Sequence, residues 1–322
     1  MGRSTRRFAV LGKIETTYGV DSVPTGGANA MLVKDLEMNP LNAENVDRGL
    51  LRPYLGGNEQ LIGVAFKEVS FSIESVGAAT AGVAPAFGPL LRACGLAETL
   101  IASTRVDYTP ISTGFESLSM YCNYDGVQHV LLGVRGECSI SYKVKEIPSL
   151  KFRFQGIDGG ESAVALPSVT LSAFQVPQVA TDAFTPNFKL GGTVSPTGAP
   201  AITGGTDFPS DGVEIQLGNA LNFKNIINLT EMEIVDREVA GSLNLDQTAA
   251  QEVTRLAAVR LNTLSAISLE HGTVATKKSL LHLPSAQFIN AKYVDQNKSL
   301  MQGYDIRCVP VAGNDEVRLV FF

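Results

Sequence analysis

The chain has 322 residues, 44% of them hydrophobic and 18% charged, with a formal net charge of −6. That composition specifies a folded protein with a sizeable core and excludes a disordered one. Residues 1–165 carry 15 basic and 17 acidic side chains and residues 166–322 carry 11 and 15, so neither half is a basic module built to neutralise phosphates.

The N-terminal stretch "MGRSTRRFAVLGKIETTYG" is basic, loosely fits a myristoylation pattern, and has an apolar run too short for a signal-peptide core. No window approaches the ~18 uninterrupted apolar residues of a membrane-spanning helix, so the expectation is synthesis and folding in a cytoplasm. After "LEMNPLNAENVDR" comes an odd connection, Asn45 to Leu61, between two stretches that read as strands. It carries arginines, leucines and a tyrosine, too apolar for a solvated loop and too irregular for a strand. "FKEVSFSIES" then alternates through Phe66, Val69, Phe71 and Ile73, as a half-buried strand does.

"APAFGPLLRACGLAETL" places Phe87, Leu90, Leu91 and Cys94 at helical spacing, with Pro85 and Pro89 suiting a start and Gly95 a stop. Next, "SLSMYCNYDGVQHVLLGVRG" has Asp125-Gly126 between two strand-like runs, a hairpin signal. "CSISYKV" and "SLKFRFQG" follow to complete an antiparallel meander. Between Gly159 and Gly212 the chain turns rich in Pro, Gly, Thr and Ser, which reads as a linker holding one or two edge strands, "SVTLSAFQV" and "NFKLGG". The second half reads "LTEMEIVDR", "GSLNL", a helix over "DQTAAQEVTRLAAVRLNTL" with Thr248 as N-cap, then "SAISLEHG", "SLLHLPSAQF" and "GYDIRCVPV". Both helices are expected to lie one-sided against a sheet. Val-Asp-Arg recurs at 46–48 and 235–237. The recurring order of elements points to two related β-rich units, divided as residues 1–165, a linker 166–210, and residues 211–322. The connection after Val-Asp-Arg is long in the first half and almost absent in the second.

The chemistry-bearing residues are scattered. His129, His271 and His282 stand alone, the four cysteines form no CxxC pair, and there is no HExxH, phosphate loop or nucleophile elbow. Each cysteine reads as a small buried hydrophobe in a reducing compartment. Glu231, Glu233 and Asp236 alternate with apolar residues on one strand, a solvated face or a lumen-lining one. With no nucleophile, base or metal site in view, no enzyme, catalytic residue, metal or cofactor is expected. What remains are surfaces: the 45–61 arm, the basic N-terminus and the apolar C-terminus "RLVFF". Exposed strand edges and apolar arms are hazards in a monomer and joints in an assembly.

At this point "ETTYGVDSVPTGGANAMLVKDLEMNP", "VDRGLLRPYLGG", "APAFGPLLRACGLAET" and "YCNYDGVQHVLLGVRGECSISYKVKEIPSLKFRFQG" resemble the major tail tube protein of long, non-contractile-tailed bacteriophages. The likeness runs in order over most of residues 15–157, and "EIQLGN", "VDRE" and "LPSAQF" extend it into the second half. It implies a mostly β fold of tandem tail-tube domains, each of two packed antiparallel sheets in a sandwich or barrel flanked by a short helix. It also implies a structural virion protein whose rings stack into a hollow tube for DNA ejection. A type VI secretion tube protein, another tail component such as a terminator or hub, and a β-sandwich binding module are the alternatives.

If the chain carries two tube domains, three chains complete a pseudo-sixfold ring; if one, six are needed. A tape measure protein and a tail terminator are the further partners the resemblance implies, with DNA passing through without tight binding and no membrane insertion. The location implied is the virion tail, assembled in the bacterial host cytoplasm. The expected inter-ring or inter-subunit arm comprises Arg48, Leu50, Leu51, Arg52, Tyr54 and Leu55 together with Arg6, Arg7 and Phe8. The expected acidic lumen wall comprises Glu68, Glu74, Glu231, Glu233 and Asp236.

Overall fold

The computed structural model describes residues 2–322; Met1, at the head of the N-terminal arm, lies outside them. The first half contains β1 (Phe8–Ile14), β2 (Ala30–Met31), β3 (Lys34–Asp47), β4 (Gln60–Glu74), α1 (Gly88–Ala93), β5 (Leu96–Ile101), β6 (Arg105–Pro110), β7 (Leu118–Tyr124), β8 (Val127–Lys143) and β9 (Ser149–Ser162). The second half contains β10 (Asn187–Val194), β11 (Ile202–Asp207), β12 (Ser210–Gln216), β13 (Asn219–Ile226), β14 (Leu229–Arg237), β15 (Ala240–Leu245), α2 (Ala249–Arg260), β16 (Leu264–His271), β17 (Ser279–Gln296), β18 (Ser299–Cys308) and β19 (Arg318–Phe321). Strand predominates, in two antiparallel sheets, one of 17 strands and one formed by β13 and β14 alone. The long strands bring their apolar faces together around one core, as in a β-sandwich.

Local sequence explains the elements. In β4 the alternation buries Val69, Phe71 and Ile73 and leaves Ser70 and Ser72 on the other face. Asp125 and Gly126 both take positive φ, 34° and 96°, the backbone a two-residue β7–β8 turn needs. The α2 helix begins with a capping box: Thr248 accepts from the Gln251 amide while the Gln251 side chain accepts from the Thr248 N–H at 2.9 Å.

The order of strands is the same in the two halves. Reading across the first, β2–β1–β7–β8–β9–β4–β3 are neighbours, all antiparallel. Across the second, the neighbours are β11–β10–β16–β17–β18–β15–β12, again all antiparallel. Each half therefore repeats one seven-strand scheme, with a helix leading away from the strand before the meander. A register shift lies between Asn39 and Asn42 in the β3–β4 hairpin, and at the matching height the second hairpin breaks between β12 and β13.

Several sequence expectations differ from this. Residues 168–176 form no strand, and "NFKLGG" is not an edge: β10 pairs with both β11 and β16. The second half does not lack a long connection, because β12–β13 and β14–β15 form one long hairpin held in a single register from Gln216↔Ala240 to Asn219↔Arg237. The two Val-Asp-Arg copies are not equivalent, since 46–48 ends the outgoing strand of its hairpin and 235–237 the returning strand. The C-terminal "RLVFF" is no exposed arm. It forms β19 between β6 and β17, with Leu319, Val320 and Phe321 buried and Phe321 edge-on to Phe87 at 5.5 Å. Truncating a phenylalanine so placed costs ~3–5 kcal/mol. Finally, α1 buries Leu90 and Leu91, whereas no residue of α2 is buried.

Candidate assembly surface

The halves meet through backbone. The C-terminal part of β8 pairs with β9 on one side and with β12 on the other, in register from Gly212↔Lys143 to Gln216↔Ser139. Buried Ile140, Tyr142, Val213 and Ile215 line its inner face, and Lys143 donates to Glu214 at 2.6 Å on the outer one. That hydrogen bond raises the Lys143 pKa, overcoming the opposing effect of partial burial.

A second join pairs β19 with β6. Here Arg105 is fully buried, lies 3.2 Å from Asp107, and donates to the carbonyls of Ser195 and Pro196 beyond β10 at 3.1 and 2.5 Å. Asp107 in turn accepts from Arg318 at 2.7 Å. A buried charge is tolerable only with such partners.

The β13–β14 hairpin lies across the first half. Arg135 on β8 donates to the Met232 carbonyl at 2.7 Å and to Glu231 at 3.0 Å, and stands 4.8 Å over the ring of Tyr18. The Met232 N–H donates to the Tyr18 hydroxyl at 2.5 Å. Burial raises the Tyr18 pKa, with that backbone N–H and the Arg135 charge acting the other way. Asn219 donates to the carbonyls of Cys94, at the end of α1, and Gly136. Met232 and Ile234 are buried by this docking, and Phe223 stacks obliquely on Phe66 at 5.2 Å.

Among the described residues nothing packs against the end of the corresponding hairpin of the first half. Leu51 and Leu55 are 100% and 103% exposed, Tyr54 is 65% exposed, and Leu50 and Arg52 are also exposed. Arg48 pairs with Glu59 across the hairpin, and Asn58 donates to the Leu50 carbonyl at 2.8 Å, so the tip has internal order. At the N-terminus Arg7 pairs with Asp125 at 3.0 Å, Arg6 is exposed, and Phe8 is already part of β1 opposite Tyr124.

The acidic residues divide between two places. Glu68 and Glu74 stand on the polar face of β4 with Ser70 and Ser72. That face continues over β9, β8 and β12 through Lys151, Arg153, Ser139, Ser141, Glu214 and Gln216. Glu68 accepts from Gln155 at 2.5 Å and lies 3.8 Å from Arg153. Glu231, Glu233 and Asp236 belong instead to β14: Glu231 meets Arg135, Glu233 meets Lys224 at 2.9 Å, and Asp236 accepts from the N–H of Arg237 at 2.8 Å. The Lys224 hydrogen bond lowers the Glu233 pKa.

Sequence reasoning missed the buried charges that brace this surface. Lys67 is fully buried on β4, 2.6 Å from both Asp158 and Glu161. Burial pushes the Asp158 carboxyl up, but the Lys67 ammonium and the Gly160 N–H outweigh it and hold the pKa low. Glu15 is buried and accepts from Ser117 at 2.6 Å, Ser119 at 3.0 Å and the Gly133 N–H at 2.8 Å. The only signal for Lys67 was a charge at an inward position of an alternating strand; Glu15 offered none.

The fold and these joins define a β-rich protein whose two repeats are joined strand edge to strand edge. A family model described as phage tail tube protein matches residues 5–308, and the chain belongs to that family. It is a structural protein of a phage tail tube. A search of curated proteins finds no match.

Proposed function

We propose that three copies of this chain close into a pseudo-sixfold ring, and that rings stack into the hollow tail tube through which DNA leaves the virion. The reading makes the halves tandem tube domains, the second including β10 and β11. The observation that carries it is the repeated seven-strand order together with one edge-to-edge join inside the chain. A head-to-tail contact that repeats by rotation closes a ring. Eight strands, β3–β4–β9–β8 and β12–β15–β18–β17, form a continuous array with one polar face, which is the wall such a ring would turn toward its lumen.

Serine hydroxyls are prominent on that face, and three of its cations have carboxylate neighbours, Lys143 with Glu214, Arg153 with Glu68, and Lys292 with Asp305 at 3.6 Å, whereas Lys151 is exposed and pairs with no carboxylate among the described residues. Cations so paired offer DNA little counterion release, and the carboxylates repel phosphates. Glu68 and Glu74 belong to this wall. The apolar tips, Leu51 and Leu55 on one hairpin and Ile227 (92% exposed) on the other, are then the contacts between stacked rings.

The tape measure protein inside the tube and the terminator at its end are the tail partners this role entails, with assembly in the bacterial cytoplasm. Electron microscopy of the purified protein, with a mass measurement on isolated rings, tests the proposal. Rings of three chains that stack into tubes are expected; a protein that stays monomeric under all assembly conditions would overturn it, and six chains per ring would overturn the tandem reading.

A further inference from the structure

Two strand edges that are covered in one half are bare in the other. The strand β12 is paired on both sides, by β15 and β8, whereas its counterpart β3 is paired by β4 alone. The C-terminal part of β8 is paired on both sides, whereas its counterpart in β17, residues 290–296, has only β18. Among the described residues nothing pairs the outer edge of β3 or the β16-side edge of 290–296. The bare edges are long, and they are the counterparts of the two strands of the internal join, one from each half.

We propose that β3 of one chain pairs antiparallel with residues 290–296 of β17 in a second copy, repeating between chains the β12–β8 join found within the chain. This rests on the ring reading above and supplies its missing contact. The register follows from the repeat. Ile215 lies opposite Ile140 in the internal join. Met38, opposite Val69, holds the place of Ile215, opposite Gly241. Tyr293, opposite Gln302, holds the place of Ile140, opposite Leu150. Met38 of one chain therefore faces Tyr293 of the next, and Glu37 faces Val294.

The side chains agree with this pairing. Leu36 and Met38 are only partly buried, although Val213 and Ile215 in the same places are fully buried. Tyr293 is 66% exposed where Ile140 is 0% exposed. The docking of the hairpin repeats as well. The β13–β14 hairpin covers the end of α1 and the face of β8, and the matching surface at the end of α2 is uncovered, with Leu261 77% exposed. The β3–β4 hairpin of the neighbouring chain is the element that covers it. Other free edges, at β2, β5 and β11, two to six residues long, and at β13 and β14, 8 and 9 residues long, have no covered counterpart to serve as a pattern.

The test is a pair of cysteine variants in the full chain, Met38→Cys with Tyr293→Cys and Glu37→Cys with Val294→Cys. Adjacent antiparallel pairs alternate between wide and close spacing, and both fall within disulfide reach. The four native cysteines are buried and do not compete. Oxidation of assembled protein should convert most chains into a covalent ladder ending at the trimer, while the single variants stay uncrosslinked. A ladder ending at another number supports the join and overturns the three-chain ring. Rings that form normally with no crosslink in either pair overturn the join and leave the ring reading standing. Hydrogen exchange of the unaltered protein provides a measurement independent of the variants. The alternate amides of 34–39 and 290–296 that point away from β4 and β18 should gain at least tenfold protection on assembly, and unchanged exchange of these amides in intact rings would overturn the proposal.

Discussion

Arg135 donates to the main-chain carbonyl of Met232 at 2.7 Å, joining residues 97 apart in sequence. The contact fixes the β13–β14 hairpin of the second half on the β8 strand of the first. Arg135→Ala leaves that carbonyl and Glu231 without their donor, and a loss of about 3 kcal/mol is expected from a buried charge-assisted contact of this kind. Arg135→Lys should recover less than half, because one ammonium cannot serve Met232, Glu231 and the Phe115 carbonyl from a planar fork. Denaturant midpoints at constant slope would measure both.

The break in the same hairpin depends on Gly218, whose φ is +68° and whose added Cβ would lie 2.1 Å from the Glu238 carbonyl oxygen. Gly218→Ala should cost on the order of 2 kcal/mol. The loss should appear locally, as faster amide exchange in β13 and β14, before it appears in the global melt. Equal exchange in the two proteins would show that the break tolerates a side chain.

Acid should weaken the fold through its histidines. Burial and the neighbouring Arg318 charge push His282 down to about 4, and Ser268 holds its ring at 2.8 Å. The unfolded chain takes up this proton below pH ~6.5 and the folded protein does not, so stability is intact above that value. It then falls as the pH drops toward 4, by roughly 3 kcal/mol for this group. Burial lowers His271 and His129 too, with the same sign. Midpoints measured from pH 7 to 4.5 should fall, and His282→Gln should flatten the slope.

The tip of the first hairpin should matter only to assembly. Leu51→Asp with Leu55→Asp removes two fully exposed leucines, so the monomer's stability should change by no more than about 0.5 kcal/mol. Tube length seen by microscopy should collapse while single rings persist. Unaltered tubes after deletion of residues 49–60 would exclude a role for the tip in stacking.

The cysteines should stay silent in the native protein. All four are buried, and burial pushes the Cys122 and Cys308 thiols up to about 12. Thiol labelling at neutral pH should require denaturant. Rapid native labelling of any one of them would reveal local opening.

The sequence was most readable where structure is local. The alternation of β4, the Asp125-Gly126 turn, the capping box of α2 and the meander through β9 all follow from neighbours a few residues apart. It was least readable where partners are distant. Nothing near Gly212 announces Lys143 as its pair, and "RLVFF" has the composition of a sticky tail until β6 and β17 are seen to enclose it. The exposed leucines of the arm were legible, because an apolar loop with no local partner is anomalous in itself. The matching of hairpins was misjudged through Val-Asp-Arg, a tripeptide shared by strands that run in opposite senses within their hairpins.

The β8–β12 ladder forms within one molecule, so it needs no encounter between chains. In a closed ring of such chains every second joint is complete as soon as the monomer folds. Growth then depends on protein concentration through only the other half of the joints, where six separate single-domain subunits would have to form every joint by encounter. The tether also makes alternate joints unlike. A ring of this kind returns to itself only after a third of a turn, and each ring added to a stack has three equivalent seatings rather than six.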